Sequence, residues 1–264
     1  IPGKNNIVFP SPTFAMYQVY CEMFRVKSIK ISYNNDYTIN FNELLSSINK
    51  NTAIVFFPNP NMPIEGSIGF ESIKIIAEHC LKMKVMLVLD EVYYPFGDIT
   101  AIELTKIFHN VLVMRSFSKA FGLAGIRLGY LIGNREIIEY ISKIRTGYES
   151  NSISMEIASF FIDNDEIILN YVQEVKHGLN YLKKELNLLN IEYNGGEKGN
   201  FIFINLKDYN LAKHIVISLR EKNIYVRGEW SAPFDGGFSV TGAPKKIMEK
   251  FFNEFKNLLL EKKG

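Results

Sequence analysis

"TAIVFFPNPNMPIEGSIGFESIKIIAEHCLKMKVMLVLD", residues 52–90, carries the fold in miniature. It opens on an apolar run, TAIVFFP (52–58), and closes on another, KVMLVLD (84–90). Both are β-rich at nearly every position, the pattern of strands covered on both faces of a sheet. Between them FESIKIIAEHCLKM (70–83) reads as a helix. The alternation continues outward. NIVFP (6–10), VKSIKIS (26–32), NVLVMRS (110–116) and RLGYLIG (127–133) read as further strands, and FAMYQVYCEMF, FNELLSSIN and IELTKIFH as helices. Strand and helix in turn predict an α/β domain, a mostly parallel sheet sandwiched by helices.

The pattern changes near residue 134. REIIEYISKIR (135–145) has helical periodicity, and a long helical stretch follows over roughly 152–188, interrupted at DNDE. GNFIFINL (199–206) and KNIYVRG (222–228) read as strands, LAKHIVISLRE and PKKIMEKFFNEFKNLLLEKK as amphipathic helices. The expected organisation is a large domain over residues 1–147 and a smaller C-terminal α/β domain over 148–264, beginning at Tyr148.

The chain has 264 residues, 47% hydrophobic and 22% charged, enough for one large domain or two unequal ones. A net charge of +2 gives no basic field for nucleic acid. No apolar run approaches the ~18 residues of a membrane helix, and IPGKNNIVFP has no charged segment ahead of an apolar core, so no signal peptide is expected. Two cysteines, Cys21 and Cys80, make no disulfide framework and fit a reduced, cytoplasmic protein. The four histidines stand apart without metal-ligand spacing, so no metal is expected.

Ligands of open α/β sheets sit at the carboxyl ends of the strands. Three such ends are chemically unusual: TAIVFFP runs into NPNMPIEG, KVMLVL into DEVYYPFG, and NVLVM into RSFSKAFGLAG. Asp90 follows an apolar strand, so its carboxylate is expected to be partly buried and to need a partner. Taken singly it reads as a helix N-cap or half of a loop salt bridge, and Tyr93 as packing. Lys119 stands among small, apolar and hydroxylated neighbours, and a desolvated lysine amine is a nucleophile toward carbonyls. A pyridoxal 5′-phosphate site asks for this set: a lysine for the covalent bond, a carboxylate against the ring nitrogen, donors to the ring oxygen, and a phosphate cradle.

SPTFAMY (11–17), NPNMPIEG (59–66), DEVYYPFG (90–97), SFSKAFGLAGIRLGY (116–130) and GNFIFINL (199–206) together resemble the fold-type I pyridoxal-phosphate enzymes of the class I/II aminotransferase group, and most of all the histidinol-phosphate aminotransferase-like branch. The resemblance implies that Lys119 bonds the cofactor and moves the proton, that Asp90 keeps the ring nitrogen protonated, and that Tyr93 hydrogen-bonds the ring oxygen. It implies that Ser116 and Arg127 grip the phosphate, that Phe14 stacks on the ring, and that Arg227 meets the substrate's anionic end. It also implies a homodimer acting on small amines and carbonyl compounds.

Three departures qualify it. Met62 stands where the family has an asparagine that donates to the ring oxygen, a loss of about 1 kcal/mol. Ser239, in GGFSVTGAP (236–244), stands where the family has an arginine for the substrate's carboxylate or phosphate. Nothing in the chain resembles the family's first phosphate-binding loop, so the N-terminal part of the fold is expected to be absent. The resulting expectation is an aminotransferase, one of whose substrates carries a phosphate or phosphonate. The alternatives are a decarboxylase of a phosphorylated amino acid and a non-catalytic remnant of the fold.

Overall fold

In the computed structural model, residues 3–147 and 149–261 are described. The chain forms two compact units. The first runs to Met62 and resumes from Gly66 to Asp165; the second takes Pro63–Glu65 and continues from Glu166. The sequence places the change of domain at 147/148, whereas the compact units part at 165/166; Tyr148 lies outside the described residues.

The first unit is built on a six-stranded sheet of β1 (Asn6–Ser11), β2 (Lys27–Ser32), β3 (Thr52–Pro58), β4 (Met86–Asp90), β5 (Val111–Ser116) and β6 (Gly129–Gly133), in the order β2-β1-β3-β4-β5-β6. β1 to β5 pair in parallel and β6 runs antiparallel to β5. Continuous apolar strands become alternation between two covered faces. Val8, Val55, Leu87, Leu89 and Val113 join one core with Ile73, Ile76 and Cys80 of helix α3 (Phe70–Lys82). Phe9, with Ile7 and Phe56 against it, clusters on Tyr17 and Cys21 of helix α1 (Met16–Met23). Their four-residue spacing puts both α1 side chains on one helical face.

From β1 the chain goes to β2 on one side and then to β3 on the other. This reversal is a topological switch point, and crevices form there at the carboxyl ends of the strands. The segments leaving β1, β3, β4 and β5 therefore emerge side by side.

The second unit carries an antiparallel sheet, β7 (Glu192–Gly195), β8 (Phe201–Asn205) and β9 (Gly237–Thr241), with β8 central. Its helices are α7 (Asp165–Leu188), α8 (Tyr209–Glu221) and α9 (Lys245–Glu261). Helix α6 (Ser152–Asp163) ends just before α7, so the interruption expected at DNDE is present. Pro63–Glu65 joins this unit through one side chain: Glu65 accepts backbone N–H bonds from Glu197 (2.9 Å), Lys198 (2.8 Å) and Gly199 (2.6 Å).

KNIYVRG is not a strand. Its first residues close α8: Asn223, left-handed at φ 59°, and Ile224 donate back to Arg220 and Leu219 at 2.9 Å each. This is the hydrogen-bond pattern of a Schellman motif, with asparagine tolerating the left-handed position. Only Arg227 then pairs, in an isolated antiparallel bridge to Ser239. β7 and β9 escaped the sequence reading because one is short and polar and the other opens on a glycine and holds a serine at its centre. Among the described residues no helix is long and apolar enough to cross a membrane.

Gly178 in α7 shows how closely the second unit is packed. A Cβ there would lie 1.8 Å from the carbonyl oxygen of Ala243 and 3.0 Å from Cγ of Met248. Gly178→Ala gains helix propensity, about 1 kcal/mol, but the clash is with backbone. A net loss of about 1–3 kcal/mol is expected, read as a lower denaturant midpoint. A midpoint at or above wild type would mean that α7 shifts freely.

Candidate active site

Asp90 closes β4 next to β3 and β5, and its backbone is locked on both sides. Its carbonyl accepts from Asn59 N–H at 2.9 Å, while Glu91 N–H donates to Met114 at 2.9 Å. The carboxylate is only 3% exposed. Oδ1 accepts from Val92 N–H at 3.1 Å, a local turn of the kind aspartate favours, and Oδ2 accepts from the Tyr17 hydroxyl. Among the described residues Asp90 makes no ion pair, so it is neither half of a loop salt bridge nor a helix cap. Burial pushes its pKa up to about 6. The Tyr17 and Val92 hydrogen bonds and the charge of Lys119 pull it down, and Glu91 pushes it up.

Lys119 sits on the turn after β5. Gly122, left-handed at φ 67°, donates to the Lys119 carbonyl at 3.0 Å, and Leu123 donates to Phe117 at 3.0 Å. The half-buried ammonium lies 5.2 Å from the centre of the Tyr93 ring, which is itself buried. Burial lowers the Lys119 pKa, and the Asp90 charge opposes that. The strand-end reading thus brings Asp90, Tyr93 and Lys119 to one edge of one sheet. Ser116 lies at the same strand end, its Oγ accepting from Ser118 N–H at 3.0 Å.

Arg127 is left-handed at φ 54°, and its exposed guanidinium donates to the Ala124 carbonyl at 3.0 Å. Phe14 is exposed and meets Tyr17 edge-on at 5.8 Å. Arg227 lies in the second unit, its guanidinium 5.2 Å over the Trp230 ring. It exchanges both backbone hydrogen bonds with Ser239, at 2.9 and 2.7 Å. Among the described residues the buried Ser239 hydroxyl has no hydrogen-bond partner.

Tyr17 is the residue that sequence reasoning missed. Its helical spacing to Cys21 marks it as inward-facing, but spacing cannot reveal the partner of a hydroxyl. A second unread feature is the support beneath Asp90. Glu91 is ion-paired to Arg115 at 2.9 Å, accepts from Thr100 and from Ala101 N–H, and Arg115 lies 3.6 Å over the Tyr94 ring. Asn61 beside Met62 is held by Tyr33, Pro12 and Thr13.

A family model, aminotransferase class I and II, matches residues 1–242. Over 208 residues the chain is 34% identical to histidinol-phosphate aminotransferase 2 of Oceanobacillus iheyensis, covering 77% of this chain and 56% of that protein. Over 263 residues it is 32% identical to the histidinol-phosphate aminotransferase of a Thermoanaerobacter species, covering 98% and 72%. The crystal structure of histidinol-phosphate aminotransferase from Sinorhizobium meliloti in complex with pyridoxal 5′-phosphate superposes with a TM-score of 0.90 at 20% identity, over 99% of this chain and 72% of that one. The chain thus spans between about half and three quarters of the proteins it resembles.

Proposed function

We propose, for a chain that belongs to the aminotransferase class I and II family, the transfer of an amino group from an amine or amino acid to a carbonyl acceptor with pyridoxal 5′-phosphate as cofactor. The observation that carries this is the pairing of a half-buried lysine with a buried carboxylate at neighbouring strand ends, each shifting the other's proton affinity. The donor set fits the cofactor. Asp90 is a buried carboxylate that makes no ion pair within 4 Å among the described residues, suited to a protonated ring nitrogen, and Lys119 is an amine whose charge is disfavoured by burial. Lys119, Asp90, Tyr93, Ser116, Arg127 and Phe14 would hold it.

When bound, pyridoxal 5′-phosphate supplies an electron sink for the bonds at the amine-bearing carbon. The chain's residues do the rest. Lys119, with its pKa lowered, is neutral in a larger fraction of molecules and can attack a carbonyl or carry a proton. Asp90 remains ionised above about pH 6 and can hold a proton on a ring nitrogen. Tyr93, whose ring lies beside Lys119, would donate its phenol to the ring oxygen. Arg227 serves as the ligand of the substrate's anion, and a phosphate or phosphonate is the group we assign to it. Support comes from the relatives' names and from the fork geometry of guanidinium with such anions. The proposal extends to a cytoplasmic homodimer, in keeping with the free, buried thiols of Cys21 and Cys80.

The test is borohydride reduction of the full-length, cofactor-loaded protein, followed by peptide mass mapping and a screen of amine donors with and without a phosphate. A label on Lys119 and conversion of the cofactor to its amine form are expected, fastest with phosphorylated donors. A label on another lysine sinks the site. Carbon dioxide release without that conversion sinks the transfer reaction, and indifference to phosphate sinks the role of Arg227.

A further inference from the structure

Asp90 has two oxygens, and each accepts one hydrogen bond. Oδ1 is taken by a backbone N–H that any residue at position 92 other than proline would supply. Oδ2 is taken by a side chain, the Tyr17 hydroxyl, from a helix 73 residues away in sequence. Tyr17 is 5% exposed, and its ring is fixed on several sides. It stacks on Phe56 with centres 4.8 Å apart and planes at 11°, and meets Phe9 and Phe14 at 5.8 Å each. A ring so held leaves its hydroxyl little choice of direction. The same packing excludes water, so no solvent molecule takes the place of the phenol without a rearrangement of the aromatic cluster.

We propose that Tyr17 is a positioning residue for the active-site carboxylate: its hydroxyl aims Asp90 and keeps it ionised at neutral pH. This rests on the reading of Asp90 as the partner of the cofactor's ring nitrogen, and it adds the group that sets the carboxylate's proton count. The physical reason is a competition. Burial favours the neutral acid. A donated phenol O–H favours the carboxylate, because a hydrogen bond to a charged acceptor is stronger than one to a neutral acceptor. The other groups acting on Asp90 are Lys119 from the turn after β5, which favours the charge, and Glu91, which opposes it and is itself neutralised by Arg115. Tyr93 lies beside Lys119 and also acts on Tyr17. The Tyr17 phenol stays protonated, its pKa raised well above the usual range by burial and then by Asp90, so it remains a donor across the working pH range.

The test needs a readout that does not depend on turnover. Infrared titration of the full-length, cofactor-free protein follows the carboxyl stretch of Asp90, identified by its loss in Asp90→Asn. In the wild type its midpoint is expected near 6. In Tyr17→Phe, which keeps the ring and removes the donor, the midpoint is expected to rise by about one to two pH units, the equivalent of one hydrogen bond to a charged group. Replacement of Tyr17 by difluorotyrosine, a more acidic phenol and stronger donor, is expected to move it the other way. Opposite displacements by two rings of nearly the same shape separate donation from packing. This pair also covers the case in which Tyr17→Phe fails to fold. An unmoved midpoint in the folded variants overturns the proposal. The loaded protein gives a second reading: the pH dependence of the bound cofactor's absorbance follows the same displacement. A protein that binds no pyridoxal phosphate but shows both infrared displacements keeps the Tyr17 proposal and loses the proposed function. A protein that binds and turns over with an unmoved midpoint does the reverse.

Discussion

Lys119→Ala is expected to lower kcat of the full-length enzyme by three to four powers of ten or more and to abolish borohydride labelling at that position. General acid–base catalysis by one positioned group is worth about 10²–10⁴, and this residue is assigned the nucleophile's role as well. The structure shows why this lysine suits both. Its ammonium is half-buried near the Tyr93 ring, burial lowers its pKa, and the Asp90 charge limits how far. Activity should therefore rise with pH as Lys119 loses its proton, at a lower pH than an ordinary lysine requires. Lys119→Arg is the informative control. It keeps a cation in place, but a guanidinium with a pKa above about 12 cannot give up its proton, so it should be as inactive as alanine. Activity within tenfold of wild type in either variant would remove Lys119 from the chemistry.

The strands that made the fold legible also marked out the candidate site, for one physical reason. In β3, β4 and β5 the two covered faces demand apolar residues at nearly every position. A polar residue at the end of such a run therefore stands out, and Asp90 did. Parallel strands also put those ends on a common edge, so features far apart in sequence could be read as one cluster. The second unit gave less away. Its antiparallel strands are short, and β9 carries Gly237 and Ser239 where a pattern reading wants β-branched residues. The run KNIYVRG looked like a strand because it is β-rich, but a helix C-cap claimed its first residues before any ladder could form. Glu65 was unreadable for a similar reason. Its carboxylate is consumed by three backbone donors some 130 residues away, and no local pattern encodes such a partner. Tyr17 lay inside a quoted motif, yet only coordinates show a phenol reaching Asp90.

Asp90→Asn is expected to lower turnover by about two to four powers of ten, from the roughly 3–5 kcal/mol at stake when one partner of a buried charge pair is removed. The cofactor-free protein should report the same residue through stability, and there the sign is opposite. Below about pH 3.8 the carboxyl is protonated in both the folded and the unfolded chain. As pH rises the unfolded chain releases the proton first, while the folded chain keeps it until about pH 6. The folded state's advantage from this group is therefore complete below the unfolded pKa and is lost as pH climbs through the folded one. The whole displacement corresponds to about 3 kcal/mol. In Asp90→Asn that part of the pH dependence should vanish. The comparison is one of slopes between pH 4 and 7, because asparagine offers Val92 N–H and the Tyr17 hydroxyl a different set of atoms and shifts the absolute stability too. Identical slopes in denaturant titrations of the two proteins would mean that Asp90 releases its proton at the same pH in the folded and unfolded chains, so that burial does not raise its pKa and leaves no cost for a bound cation to offset. A bound cation would offset the cost of a carboxylate that weakens the empty protein at neutral pH, and in the proposed function the protonated ring nitrogen of the cofactor would be that cation.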